Sequence, residues 1–286
     1  MTDAAVTVAT ETPLRRRKRP RAVFISGIAM LALIALAALT AGLFWPAGPW
    51  VAAGEPYTPP MTAPGLPLGT DVLGRDVAAM LAYGARVSML IGIASTLAAA
   101  ILGIVIGATA GYARGWVDDA LMRFTEVFQT IPSFMFVIVL VVIFTPTIAT
   151  ITLAIAVVSW PPVARLVRAE FLSLSSREFV QSCRLIGMHP ARIVFAEILP
   201  NCFSSVIVVS SVMVATAVLV EAGLSFLGLG DPNTASWGGM VANGKAVIRS
   251  SPYLSIIPGF AIFVLVLCIN VVGEGLNDRL NPRMRN

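Results

Sequence analysis

The chain has 286 residues, of which 57% are hydrophobic and 12% charged, with a formal net charge of +5. A soluble globular domain carries roughly 25% charged residues, so one soluble core could not hide this much apolar surface and the bilayer is the expected solvent. The positive balance does not describe a face that tracks nucleic acid, because six of the twenty basic residues (Arg15, Arg16, Arg17, Lys18, Arg19 and Arg21) form one cluster beside an apolar run, which reads as a topology signal.

Crossing about 30 Å of hydrocarbon takes about 20 helical residues. Ala22 to Phe44 is uncharged and is expected to be a first span. It is too long for the apolar stretch of a secretory signal, about 7–15 residues. The Pro- and Gly-rich stretch that follows, Trp45 to Leu68, reads as an irregular external linker. A second span is expected between Arg86 and Arg114. Its ladder of Ser95, Ala99, Gly103, Gly107 and Gly111, each four apart, falls on one helix face, where a neighbouring helix can approach closely. That neighbour could belong to the same subunit or to another.

Between Glu126 and Arg165 lie 38 uncharged residues, too many for one comfortable helix. Thr145-Pro146-Thr147 sits near the middle, and proline removes a backbone donor and favours a turn. Two short spans joined by an outer turn are expected. Two further spans run from Ile198 to Val220 and from Ser250 to Gly273. With six spans and an internal N-terminus, 16 of the 20 basic residues fall inside, leaving Arg75, Arg86, Lys245 and Arg249 outside. A single span across the 38-residue stretch would divide them evenly, so the positive-inside rule favours six spans and two cytoplasmic termini.

The loop between the fourth and fifth spans carries the clearest local signal. Phe179, Cys183 and Ile186 recur at i, i+4 and i+7, the pattern of a one-sided helix. Gly187 suits its C-terminal stop, and Pro190 the first turn of a second helix ending near Ile198-Leu199-Pro200-Asn201. Such a helix could insert into a groove on a soluble partner or lie on the membrane surface. Gln181 is expected beside Arg184 and near Arg177.

Chemistry-bearing motifs are sparse. Gly239-Met240-Val241-Ala242-Asn243-Gly244-Lys245 imitates a phosphate-binding loop, but Ala246 follows where Ser or Thr must hold Mg²⁺, and no strand precedes it. Cys183, Cys202 and Cys268 give no disulfide framework or zinc spacing, and His189 is the only histidine. The expected spans hold no charge at mid-depth, with Glu221 and Glu274 at ends, which argues against a proton-coupled carrier. No catalysis, metal or cofactor is expected in this chain.

Several segments, in one order, resemble a known family. They include Leu68-Gly69-Thr70-Asp71-Val72-Leu73-Gly74-Arg75-Asp76, Tyr83-Gly84-Ala85-Arg86-Val87-Ser88, Val158-Ser159-Trp160-Pro161, Glu221-Ala222-Gly223-Leu224-Ser225-Phe226-Leu227-Gly228 and Asn281-Pro282-Arg283. The chain resembles the C-type permease subunits of dipeptide, oligopeptide and nickel ABC importers over about Leu68 to Arg283. The resemblance implies an all-α polytopic protein of six transmembrane helices with the type I ABC importer permease fold. It implies a basic tail (1–21), a first span with its external loop (22–83), a five-helix core (84–277) holding a coupling loop at 167–200, and a short tail (278–286). Glu178, Phe179, Gln181, Cys183, Ile186, Gly187, Leu199 and Pro200 then belong to the motif that docks on an ATPase. Gln181-Ser182-Cys183 stands where Glu-Ala-Ala is usual, while Gly187, Leu199 and Pro200 keep the family spacing. Implied partners are a homologous B-type permease, two ATPase subunits holding ATP and Mg²⁺, an external solute-binding protein and membrane lipid, in a bacterial plasma membrane. Peptides are the implied cargo, with nickel chelate, glutathione or haem as alternatives on the same architecture. An ATP-independent channel or carrier is the competing class. The substrate-contacting residues are not legible in the sequence.

Overall fold

The computed structural model describes residues 21–280. Most of the basic cluster and the Asn281-Pro282-Arg283 segment lie outside them. The described residues form helices without a strand. The first span is α1 (Arg21–Phe44), and the second is α2 (Val77–Ala113). Asp76 caps α2 by accepting from the Ala78 amide. The helix therefore starts well before Arg86, and a domain boundary at residue 84 would cut through it. Arg86 does not end the span. It lies against α1, donating to the Ala38 carbonyl at 2.9 Å.

The uncharged stretch does turn at Thr145-Pro146-Thr147, between α4 (Ser133–Phe144) and α5 (Ile148–Ser159). Each of these has 12 residues, or about 18 Å of helix, too short to cross alone. Each is completed by a bent neighbour. Helix α3 (Gly115–Thr130) meets α4 at 84°, and α6 (Pro161–Ser175) meets α5 at 42°. Proline supplies a reason for both breaks, Pro132 before α4 and Pro161-Pro162 opening α6. With each bent pair counted as one span, the two pairs and four long apolar helices among the described residues give six crossings by length and composition.

After α7 (Glu178–Leu185), a short α8 (Pro190–Arg192) continues through a π-helical segment, Ile193–Ile198, into α9 (Leu199–Phe226). The second helix of the loop thus does not end near Pro200, as the sequence pattern suggested, but runs on into the fifth crossing. Pro200 has no N–H for the carbonyl four residues earlier. The ladder shifts to a longer repeat there, with the Leu199 amide donating to the Val194 carbonyl. Helix α10 (Trp237–Lys245) and the last span α11 (Tyr253–Leu280) complete the fold. The imitation phosphate loop is mostly α10 itself, capped by Ser236, with Lys245 over the Phe226 ring at 4.7 Å.

Contacts between helix ends establish two opposite faces. On one, Arg279 of α11 lies over Phe24 of α1 at 4.2 Å, and Arg114 after α2 donates to Ser175 of α6 at 2.7 Å. On the other, Trp45 after α1 donates to Asp76 before α2 at 2.6 Å, and the Ile148 amide of α5 donates to Asp231 beyond α9 at 3.1 Å. The start of the first span and the end of the last share a face, as an even number of crossings requires.

The stretch expected to be an irregular linker is a hydrogen-bonded cap on the second face. Asp71 and Arg75 form a buried ion pair at 2.5 Å. Tyr253 at the head of α11 donates to the carbonyls of Thr58 and Thr70, tying the cap down. Beneath it, Val77, Met80, Val218, Trp237 and Leu265 form one of several apolar clusters.

Candidate functional site

The 176–200 segment lies on the face shared by the starts of α1 and the ends of α2, α6 and α11. Helix α6 stops at Ser175, and α7 begins after an extended Arg177, with Glu178 in its first turn near the positive end of the helix dipole. At the other end the Gly187 amide bonds the Arg184 carbonyl and the Met188 amide the Cys183 carbonyl, both at 3.0 Å. Gly187 has φ +75°, the left-handed geometry this paired-bond ending requires. His189 Nδ1 accepts from the Ala191 amide as the next helix starts at Pro190.

What seats α7 is Val180, fully buried in a cluster with Phe171, Ile193, Ile198, Cys202 and Val206. Cys183 and Leu199 pack against the same cluster. The sequence pattern placed Phe179, Cys183 and Ile186 on one docking face. The structure divides them, with Cys183 turned inward and Phe179 and Ile186 open to the surroundings. Ile186 lies past the last helical residue, so helical spacing does not govern it. Leu185 and Ile186 are 88% and 77% exposed, and Phe195 is exposed too. Large apolar side chains beside Arg177, Arg184 and Arg192 at a loop tip suit a surface that another protein covers. Val180 and Leu185 were missed in the sequence. A Val180–Cys183 i, i+3 pair was the signal available for the buried face.

Gln181 does not reach toward its arginine neighbours. Its Nε2 donates to the Ser175 carbonyl at 3.2 Å, satisfying an orphan acceptor at the end of α6. Pro200 is exposed, and its effect is the π segment. The loop therefore has a rigid base and an open apolar tip.

The small-residue ladder of α2 faces α6 of the same chain. A Cβ on Gly103 would stand 2.6 Å from Val163, and one on Gly111 2.6 Å from Phe171. Ser95 and Ala99 continue this buried side. Farther along the bundle, Glu221 is buried rather than simply terminal, accepting from Ser88 of α2 at 3.0 Å and Ser225 at 2.8 Å. Ser225 and Ser236 lie 3.2 Å apart, extending this link toward α10.

Comparison with known proteins agrees with this architecture. Residues 103–286 match the family described as binding-protein-dependent transport system inner membrane component. The di/tripeptide transport system permease protein DppC of Pseudomonas aeruginosa is 36% identical over 275 residues, covering 92% of this chain and 88% of that protein. The dipeptide transport system permease protein DppC of Haemophilus influenzae is 34% identical over the whole of both chains. The glutathione transport system permease protein GsiD of Pectobacterium atrosepticum is 36% identical, covering 77% of this chain and 73% of that protein. Among solved structures, a chain of the inward-facing MetNI methionine ABC transporter superposes with a TM-score of 0.60 at 15% identity, covering 71% of this chain and 96% of that one.

Proposed function

From the premise that this chain belongs to the family of binding-protein-dependent transport system inner membrane components, we propose that it is one of two non-identical permeases of an importer for short peptides. Two ATPase subunits bind ATP and Mg²⁺, and an external binding protein delivers the cargo. The observation that carries this reading is the loop tip. Leu185 and Ile186 stand exposed on a base fixed by Val180 and the Gly187 turn, and an apolar tip of this kind fits a groove on a soluble subunit. Peptide cargo is supported by the relatives that carry dipeptide and tripeptide names over nearly their full length. The glutathione relative keeps that cargo as a second reading within the same chemistry.

In this reading the loop faces the cytoplasm, both termini lie there, and the membrane is a bacterial plasma membrane. ATP-driven closure of the ATPases draws the loops of the two permeases together. The pathway then opens outward, because nucleotide binds one of the two states more tightly. Hydrolysis resets it. This permease contributes the path and the lever, and the ATPases supply the chemistry.

The test is affinity purification of the full chain with its co-expressed partners. Wild type retains the ATPase subunits. Leu185→Asp with Ile186→Asp loses them while the chain still enters the membrane, since neither side chain belongs to the loop's core. Equal retention by the double variant sinks the docking role, and failure of wild type to retain any ATPase sinks the importer reading.

A further inference from the structure

A cavity of about 500 Å³ on the capped face is almost wholly apolar, lined by residues such as Ile34, Phe44, Trp45 and Phe260, and suits lipid. A second cavity, of about 390 Å³, differs in kind. It lies between α3 and α6 and is lined by Asp119, Met122, Arg123, Glu126, Arg165 and Arg168. The α3 members recur at i, i+3, i+4 and i+7, so they form one stripe, and the two arginines are three apart on α6.

The charges in this cavity are not equally occupied. Arg168 is held by both carboxylate oxygens of Asp118, at 2.5 and 2.6 Å, which pins α3 to α6. Asp119 also lies within the field of Arg168. Among the described residues, the side chains of Arg123, Glu126 and Arg165 make no hydrogen bond or ion pair. Both signs therefore line one cavity with no direct ion pair among these three side chains. Arg165 is the fifth residue of α6, about 26 Å along the α5–α6 crossing from its outer end, near the inner edge of a roughly 30 Å core. Asp119, Arg123, Glu126 and Arg165 are exposed there, so charges of both signs line an open cavity at the inner end of the crossing, where a solute leaving the pathway would meet them.

We propose that this cavity is a peptide subsite on the inner part of the pathway, with Glu126 receiving the α-ammonium group and Arg165, aided by Arg123, the α-carboxylate. The proposal rests on the peptide reading above and adds how this permease holds its cargo. An anionic lipid headgroup fits less well, because Glu126 and Asp119 would repel it. Short peptides carry opposite charges at their two ends, and an extended tripeptide reaches about 10 Å. The volume lies within the usual range for small-ligand pockets, about 300–1,000 Å³. Guanidinium groups suit a terminal carboxylate because their donors form a planar fork.

The experiment uses the assembled permease–ATPase complex without the binding protein, and measures equilibrium binding of three probes. These are trialanine, N-acetyl-trialanine and trialanine amide. Wild type is expected to bind trialanine roughly tenfold more tightly than either blocked form, the loss of one charge-assisted contact. Glu126→Gln should remove the preference over the acetylated probe alone. Arg165→Gln, with or without Arg123→Gln, should remove the preference over the amide alone. A structural defect would weaken all three probes together and leave no such exchange of preferences. Equal wild-type affinity for the three probes, or either variant retaining both preferences, overturns the subsite. A parallel uptake assay with the binding protein present separates the two levels. Trialanine uptake without discrimination by this cavity leaves the peptide reading standing and removes the subsite, whereas failure to import any short peptide removes the peptide reading, and the subsite with it.

Discussion

At the scale of single residues, the structure changes what Gln181 is for. A glutamate there would match the usual family pattern, and spacing alone suggests that a carboxylate beside Arg177 and Arg184 would be welcome. The observed amide instead donates to the Ser175 carbonyl. Gln181→Glu replaces that donor with an acceptor and sets two oxygens against each other. We expect a loss of about 1 kcal/mol in the local seating of α7, read as faster hydrogen exchange across residues 176–187 in the assembled complex. Unchanged exchange would mean that this contact does not hold the loop. Glu221 offers a second case. Glu221→Ala leaves the buried hydroxyls of Ser88 and Ser225 without their acceptor, at about 1–3 kcal/mol. Glu221→Gln keeps a carbonyl acceptor in place. Thermal unfolding of the detergent-solubilised complex should show a lower midpoint for the alanine variant than for the glutamine variant.

At the scale of elements, α2 and α6 form the most extensive helix pair among the described residues. The reason is the missing side-chain bulk along α2. A Cβ on Gly107 would lie 2.3 Å from the Ala164 carbonyl oxygen, a backbone atom that cannot rotate away. Gly107→Val must therefore push the two helices apart, at a cost of about 1–3 kcal/mol or more. Gly187 differs in kind, since a Cβ there meets nothing within 4 Å and only its left-handed backbone resists substitution. Gly187→Ala should cost about 1–2 kcal/mol and loosen the loop without disturbing the bundle. Paired melting and ATPase-retention measurements on the two variants should show Gly107→Val lowering the melting midpoint more, with the Gly187→Ala effect concentrated in retention. A reversal would place the rigid contact at the loop and the forgiving one in the bundle.

At the scale of the whole molecule, the end-to-end contacts sort the segments into two faces, and in the proposed function charge asymmetry predicts that the loop face is the cytoplasmic one. Ser182 lies on the loop face and Asn233 on the face capped by residues 45–76. Single cysteines at these positions, with Cys183, Cys202 and Cys268 replaced, should differ under an impermeant thiol reagent in sealed cells. Asn233→Cys is expected to label and Ser182→Cys to be protected until the membrane is opened. Labelling at 182 from outside would invert the assignment and, with it, the docking of an ATPase on this loop.

The membrane class, the six crossings and the loop helix were legible because they depend on local quantities. Uncharged length, charge bias, Pro146 and the Gly187 stop are read along the chain itself. The turn at residues 145–147 followed from one proline, but the bent completions α3 and α6 did not, because charged residues in them disguised the ends of the crossings. Gln181 and Val180 could not be assigned, since a period over eight residues cannot say which side meets the rest of the protein. The linker read as irregular because its order comes from a distant partner, Tyr253, and from a compact Asp71–Arg75 ion pair just after it, rather than from repeating backbone bonds. The α3–α6 cavity was equally hidden, as Glu126 and Arg165 bounded an uncharged run in the sequence and become neighbours only when the crossings fold back together. Local composition fixed what enters the bilayer, because each segment meets that solvent by itself. Which charges share a space was decided by tertiary packing, because it depends on the relative rotation of helices that no single segment encodes.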